Sequence, residues 1–252
     1  MDDVVISVEN ISKSFGGVNA LQQVSMTVRR GEIHCLAGEN GSGKSTLIKV
    51  ISGYYRPDSG TIRIDGRTFT SLTPAESIRH GVQVIYQDFS LFPNLSVMEN
   101  LALNAEVARG SHLVSYRRMR ETAQQAVEKI GLDVDMNARV ADLSVADRQM
   151  IAIARALAHK AKVVIMDEAT ASLTRKEVNR LFDVIHAMRD EGVAVVFVSH
   201  KLDEVFEISD AITIFRNGKN VVSCPANEMD EARFSYRMTG REIQAAQTAP
   251  PV

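Results

Sequence analysis

The chain is poor in cysteine, in long apolar runs and in net charge, and each shortage excludes a class of protein. Its two cysteines, Cys35 and Cys224, stand far apart with no CxxC or metal-type spacing. Neither a disulfide scaffold nor a zinc site is expected, and a reducing, cytoplasmic setting fits. No stretch approaches the ~18 consecutive apolar residues that a membrane span needs. The opening MDDVVISVEN is acidic and has no basic region ahead of an apolar run, so no secretory signal is expected. Any membrane role must come through a partner. A net charge of -2 gives no global pull toward nucleic acid. What is present is ordinary: 45% hydrophobic and 24% charged residues over 252 positions. That suffices for one α/β domain with a core of normal size, or for a core carrying a smaller inserted unit.

The first third reads as short strands: Val4 to Val8, Val24 to Val28, and Thr61 to Ile64 closed by the turn Asp65-Gly66. These form a peripheral β layer. Between them the apolar run Ile33 to Ala37 enters a glycine-rich loop, followed by helical spacing from Ser45 to Ile51 with Gly53 as the stop. From about Thr73 to His159 the character is helical, with Tyr116 to Ile130 ended by Gly131. Strand and helix then alternate again. Val163 to Met166 and Val193 to Val198 are apolar runs of the kind buried on both faces of a sheet. Thr174 and Glu177 make a capping box, and Val178, Leu181, Phe182, Ile185 and Met188 mark one apolar helix face. Ala211 to Phe215 meets the hairpin signal Asn217-Gly218, and the closing AAQTAPPV reads as a frayed tail.

The segment from Gly38 to Ser45, GENGSGKS, matches G-x-x-x-x-G-K-[ST] after a strand and at the start of a helix. Gly38, Gly41 and Gly43, with Asn40 and Ser42, let backbone N–H groups wrap a polyphosphate, reinforced by the helix dipole at Ser45 and Thr46. Lys44 then reaches the β and γ phosphates, and Ser45 offers a hydroxyl to Mg²⁺. Asp167 and Glu168 end an apolar strand, where open α/β sheets bind ligands. Asp167 is expected to hold Mg²⁺, through water, and Glu168 to polarise the attacking water. An isolated Asp-Glu can equally cap the next helix; the complete phosphate loop upstream favours the catalytic assignment. His200 leaves the strand Val193 to Val198 on the same sheet edge, within reach of a γ-phosphate, although a lone histidine is more often structural.

In their order along the chain these motifs resemble the ATP-binding cassette family from about Val4 to Ile243. The resemblance implies a P-loop NTPase (RecA-like) core over residues 4–86 and 161–222, a peripheral antiparallel β layer, an inserted helical subdomain over 87–160, and a tail at 244–252. It implies further that Phe15 stacks on adenine, that Gln87 touches Mg²⁺ and links core to helical subdomain, and that Ser144 opens a signature loop contacting ATP held by a second cassette. The stretch LSVADRQMIAIARAL is similar to the first cassette of ribose- and galactose-type sugar importers, as are ATASLTRKEV and VSHKLDEVFEISDAITIFRNGK. The implied partners are transmembrane permease subunits, a second ATP-binding cassette and, indirectly, a substrate-binding protein. The implied place is the cytoplasmic face of the cell membrane.

Departures bear on coupling between cassettes. The family's LSGGQ is Leu143-Ser144-Val145-Ala146-Asp147 here, so two glycines are lost and a negative charge is gained near a polyphosphate. Ala169 replaces a proline after Glu168, and Thr174 stands where many members have an aspartate. Two functions compete: a transport ATPase docking its permease through the segment from Gln87 to Asn100, and a soluble regulator or assembly factor using the same ATP switch. No basic stripe supports a nucleic-acid partner. In the docking segment Leu91, Phe92 and Leu95 are either interface or simply core. A third outcome is an ATP-binding scaffold with little turnover. Homodimer and mixed dimer both remain open.

Overall fold

The computed structural model describes residues 3–86, 90–108 and 115–240. Strands β1 (Val4–Phe15) and β2 (Val18–Arg29) form an antiparallel hairpin across Gly16 and Gly17. With β4 (Ser59–Ile64) and β5 (Arg67–Phe69) they make a four-stranded sheet ordered β2-β1-β4-β5. This is the expected peripheral layer, but its first two strands run well beyond the apolar patches that announce them. Register shifts interrupt their pairing, and Asn10 and Gln23 both take φ 52°, so the inside-outside alternation breaks along their length.

The second sheet has six strands. β3 (Ile33–Gly38), β6 (Val82–Ile85), β7 (Val163–Asp167), β8 (Ala194–Val198) and β9 (Ala211–Arg216) run parallel. β10 (Lys219–Pro225) closes the edge antiparallel, after the Asn217-Gly218 turn, and the order is β10-β9-β3-β8-β7-β6. Every residue of β3 and β8 is buried, as continuous apolar runs require of a sheet covered on both faces. β6 lies in the stretch expected to be helical from Thr73. There the helix α2 (Pro74–Arg79) ends early, and the four residues Val82 to Ile85 pair with β7 at the sheet edge.

The two faces of this sheet carry different cores. On one, Ile165, Val163, Val196 and Val198 pack with Leu47, Ile48 and Ile51 of α1 (Lys44–Ile51) and with the β layer. On the other, Val164, Met166, Val195 and Phe197 pack with α5 (Val145–Ala158) and α6 (Arg175–Asp190). The helices α3 (Val97–Ala108) and α4 (Tyr116–Lys129) lie against each other and against α5, so the helical portion joins the sheet through one shared core. α7 (Leu202–Ile208) and α8 (Glu231–Thr239) cover β3 and β9 around Cys35, Val205, Ile212 and Phe234. Cys35 is fully buried, and burial pushes its thiol up to about 12, so it behaves as a small core residue. The capping box at Thr174 forms as expected: Glu177 N donates to Thr174 Oγ1 (3.4 Å) and Thr174 N donates to Glu177 Oε2 (2.7 Å). The apolar face of α6 adds Val184 to the five expected residues, and Phe182 meets Phe197 edge-on at 5.9 Å.

Candidate active site

The phosphate loop sits between a fully buried strand and the start of α1, and at Gly38 and Gly43 the backbone leaves no room for a side chain. A Cβ on Gly38 would lie 2.4 Å from the Phe215 carbonyl oxygen and 2.7 Å from Ser42 Oγ. One on Gly43, at φ 108°, would lie 2.7 Å from the Ala20 carbonyl oxygen. Only glycine fits either position. Gly38→Ala is therefore expected to cost at least about 2 kcal/mol and to lower the melting temperature by roughly 4–8 °C. An unchanged thermal melt would refute the packing described here.

Lys44 is buried, 6% exposed, and donates through Nζ to the carbonyl oxygens of Gly38 (2.7 Å) and Glu39 (3.0 Å). Burial holds its pKa below the usual lysine value, while the carboxylates of Glu168 and Asp167 partly oppose that shift. The α1 N-cap, Gly43, offers no side-chain acceptor to the first-turn amides, and the buried Ser42 Oγ has no partner. An uncapped helix N-terminus, an orphan hydroxyl, a glycine cradle and a buried ammonium together fit a polyphosphate. Asn40, Gly41 and Ser45 are exposed on this loop and Thr46 is half-buried.

Opposite the loop, β7 ends at Asp167, with β8 lying between β7 and β3. Burial and the neighbouring Glu168 charge raise the Asp167 pKa, while the Lys44 ammonium and, less, the nearby Ser45 hydroxyl oppose this. Asp167 and Ser45 thus supply adjacent oxygen donors of the hard type that Mg²⁺ prefers. Glu168 has φ 51°, a left-handed backbone for a non-glycine residue, and its N–H donates to the Val198 carbonyl (3.2 Å). That bond ties the end of β7 to the end of β8. His200, just beyond, brings Nδ1 to 3.5 Å from Glu168 Oε1, with half of its side chain exposed. The structure therefore gathers Lys44, Ser45, Asp167, Glu168 and His200.

The remaining expected residues have contacts of their own. Phe15 is 41% exposed and its ring meets Tyr55 (5.0 Å) and Lys13 Nζ (5.3 Å). Tyr55 follows α1, and with Tyr54 and Lys49 it extends the aromatic surface beyond the single residue picked out by sequence. The doublet Tyr54-Tyr55 was the available signal. Ser144 caps α5, accepting from Asp147 N (3.0 Å) and donating to Asp147 Oδ2 (2.8 Å). The Asp147 charge is thus fastened to the cap. A small cleft of about 110 Å³ borders Ser144, with Ala146, Leu173, Glu177 and Arg180 around it. Gln87 lies outside the described residues. Phe92 is 50% exposed, whereas Leu91 and Leu95 are half-buried, so the apolar docking segment divides between surface and core.

A phosphate loop after β3, two acids at the end of β7, and one strand between them define a P-loop nucleotide-binding protein. Residues 21–171 match the ABC transporter family, and the chain belongs to that family. It is 46% identical to a ribose import ATP-binding protein of Rubrobacter xylanophilus over 95% of this chain and 48% of that protein. It is 38% identical to a putative ribose/galactose/methyl galactoside import ATP-binding protein of Geobacillus kaustophilus over 100% of this chain and 50% of the relative. The chain thus spans about half the length of the curated relatives it matches. An ATP-binding cassette of an ABC transporter in its ADP conformation superposes with a TM-score of 0.82, at 25% identity over 94% of this chain and 97% of that one. A dimeric bacterial ABC transporter cassette does so with a TM-score of 0.76, at 25% identity over 88% and 98%. The fold is that of an ABC cassette, with the P-loop core, β layer and helical portion that the sequence motifs imply.

Proposed function

We propose that this chain is the ATP-hydrolysing cassette of an importer for a carbohydrate, working at the cytoplasmic face of a membrane on permease subunits. The observation that carries the reading is the convergence of Lys44, Asp167, Glu168 and His200 on one sheet edge, with Glu168 and His200 3.5 Å apart. The names of the relatives supply the solute class. In this reading Gly38, Asn40, Gly41, Ser42, Gly43 and Thr46 wrap the phosphates and Lys44 neutralises them. Ser45, Asp167 and Gln87 hold Mg²⁺, which spreads charge from the phosphate oxygens. Glu168 orients the attacking water, His200 meets the γ-phosphate and Phe15 stacks on the base.

Ser144 caps α5 and borders a cleft with Ala146, Leu173 and Arg180, and in this reading it contacts ATP held by a second cassette. A solved neighbour of the same fold is a dimeric cassette, which supports pairing with a second copy or a related cassette. Permease subunits would dock beside Phe92, in a cleft of about 690 Å³ shared with Tyr54, Ile78, Tyr86, Arg155 and His159. No helix among the described residues is long and apolar enough to cross a membrane. The test is steady-state hydrolysis of Mg²⁺·ATP by the purified chain at rising protein concentration, repeated with a cassette bearing the glycine-rich signature. A specific activity that climbs with chain concentration, or on adding the second cassette, supports the reading. Bound ATP without turnover in both settings overturns it.

A further inference from the structure

Glu204 lies in the first turn of α7 and is only 4% exposed. A carboxylate so buried is costly unless its oxygens are satisfied. Here the partners come from two other segments. Glu204 Oε2 accepts from Thr170 Oγ1 (2.7 Å) and from Ser199 Oγ (2.9 Å), while Oε1 pairs with Lys201 Nζ (2.9 Å). Thr170 and Ser199 are themselves buried, at 2% and 4%. Lys201 Nζ also donates to the Thr170 carbonyl (3.1 Å), and Lys201 N donates to Ser199 Oγ (3.1 Å).

The placement of these partners matters. Thr170 follows Glu168 by two residues on the segment leaving β7, and Ser199 directly precedes His200 on the segment leaving β8. An acid that served only the α7 dipole would turn to the helix's own amides; this one is spent on two hydroxyls from different loops. We propose that Glu204 is a positioning residue, a single carboxylate that clamps the Glu168 and His200 segments together and so sets the spacing of the hydrolytic pair. The proposal rests on the roles assigned to Glu168 and His200 above.

Side-chain length and charge should both register. Glu204→Asp is one methylene too short to reach both hydroxyls, and Glu204→Ala leaves them without an acceptor. Glu204→Gln keeps the reach and one acceptor but turns an amide toward Lys201. Because small displacements of reacting groups can cost about 10²-fold, Ala and Asp are expected to lower kcat by about 10-fold to 10²-fold, and Gln by less. The Kd for a fluorescent ATP analogue should stay within about twofold, since the phosphate loop is built from other elements.

Amide hydrogen exchange gives a reading that does not depend on turnover. It should quicken at 168–171 and 199–201 in the Ala variant and stay unchanged at 44–51. If Glu204→Ala does not fold, Ser199→Ala removes one tie and should give the same split. A kcat within about twofold of the parent in the Asp and Ala variants, or ATP affinity falling in step with kcat, overturns the clamp. So does unchanged exchange in both segments. Hydrolysis that survives Glu168→Gln would instead sink the assigned role of Glu168, and the exchange result would still decide the clamp.

Discussion

Glu168→Gln is expected to lower steady-state ATP hydrolysis by about 10²-fold to 10⁴-fold, the range that a positioned general base contributes, without lowering ATP affinity. The substitution preserves shape and removes the basic oxygen together with the negative charge that acts on Lys44. Glu168 is 27% exposed on its side chain and sits 3.5 Å from His200, so water can reach it and a second polar group faces it. Its left-handed backbone, with the N–H bonded to Val198 O at 3.2 Å, fixes the direction in which the side chain leaves β7. Binding is expected to survive because the phosphate cradle is made by the loop before α1 and by Lys44, none of which Glu168 builds. Single-turnover hydrolysis and equilibrium binding on the same preparation check both halves. Wild-type turnover in the variant would remove Glu168 from the chemistry.

How much of this was legible in the sequence depended on how local the physics is. The phosphate loop, the capping box at Thr174 and Glu177, and the Asn217-Gly218 hairpin are each fixed by neighbours within a few residues, and each stands where the spacing puts it. The apolar runs of β3 and β8, and of β7 up to Met166, announce strands covered on both faces, because their short length and β-branched content suit a buried strand better than a helix. Strand length was less visible. β1 and β2 continue past their apolar patches through positions such as Asn10 and Gln23, where a positive φ scrambles the alternation. β6 escaped because an edge strand of four residues, only half of them buried, carries too short a pattern. The Glu204 clamp had no sequence signal either. A glutamate in the first turn of a helix looks like a solvated, dipole-compensating acid, and only the fold reveals that Thr170 and Ser199 surround it. The ring of Tyr55 beside Phe15 belongs to the same class, since it depends on where the chain returns after α1.

Lys44→Ala should act at the opposite step from Glu168→Gln, weakening ATP binding by about tenfold to a hundredfold, the loss of one charge-assisted contact of roughly 1.5–3 kcal/mol. The ammonium already bridges the Gly38 and Glu39 carbonyls at 2.7 and 3.0 Å, so the loop holds it in place before any phosphate arrives. Its removal has a second electrostatic consequence. Asp167 already has a raised pKa from burial and from Glu168, and Lys44 is the foremost charge opposing that rise. Without it the two carboxylates face each other with less compensation, and the site should repel an anionic nucleotide more strongly. ATP and ADP should therefore lose more affinity than adenosine, which carries no phosphate charge. Calorimetric titration with the three ligands separates these contributions. If adenosine weakens as much as ATP, Lys44 acts by holding the loop together and not by meeting phosphate. If Lys44→Ala and Glu168→Gln instead lose binding equally, the division of labour between cradle and base is wrong.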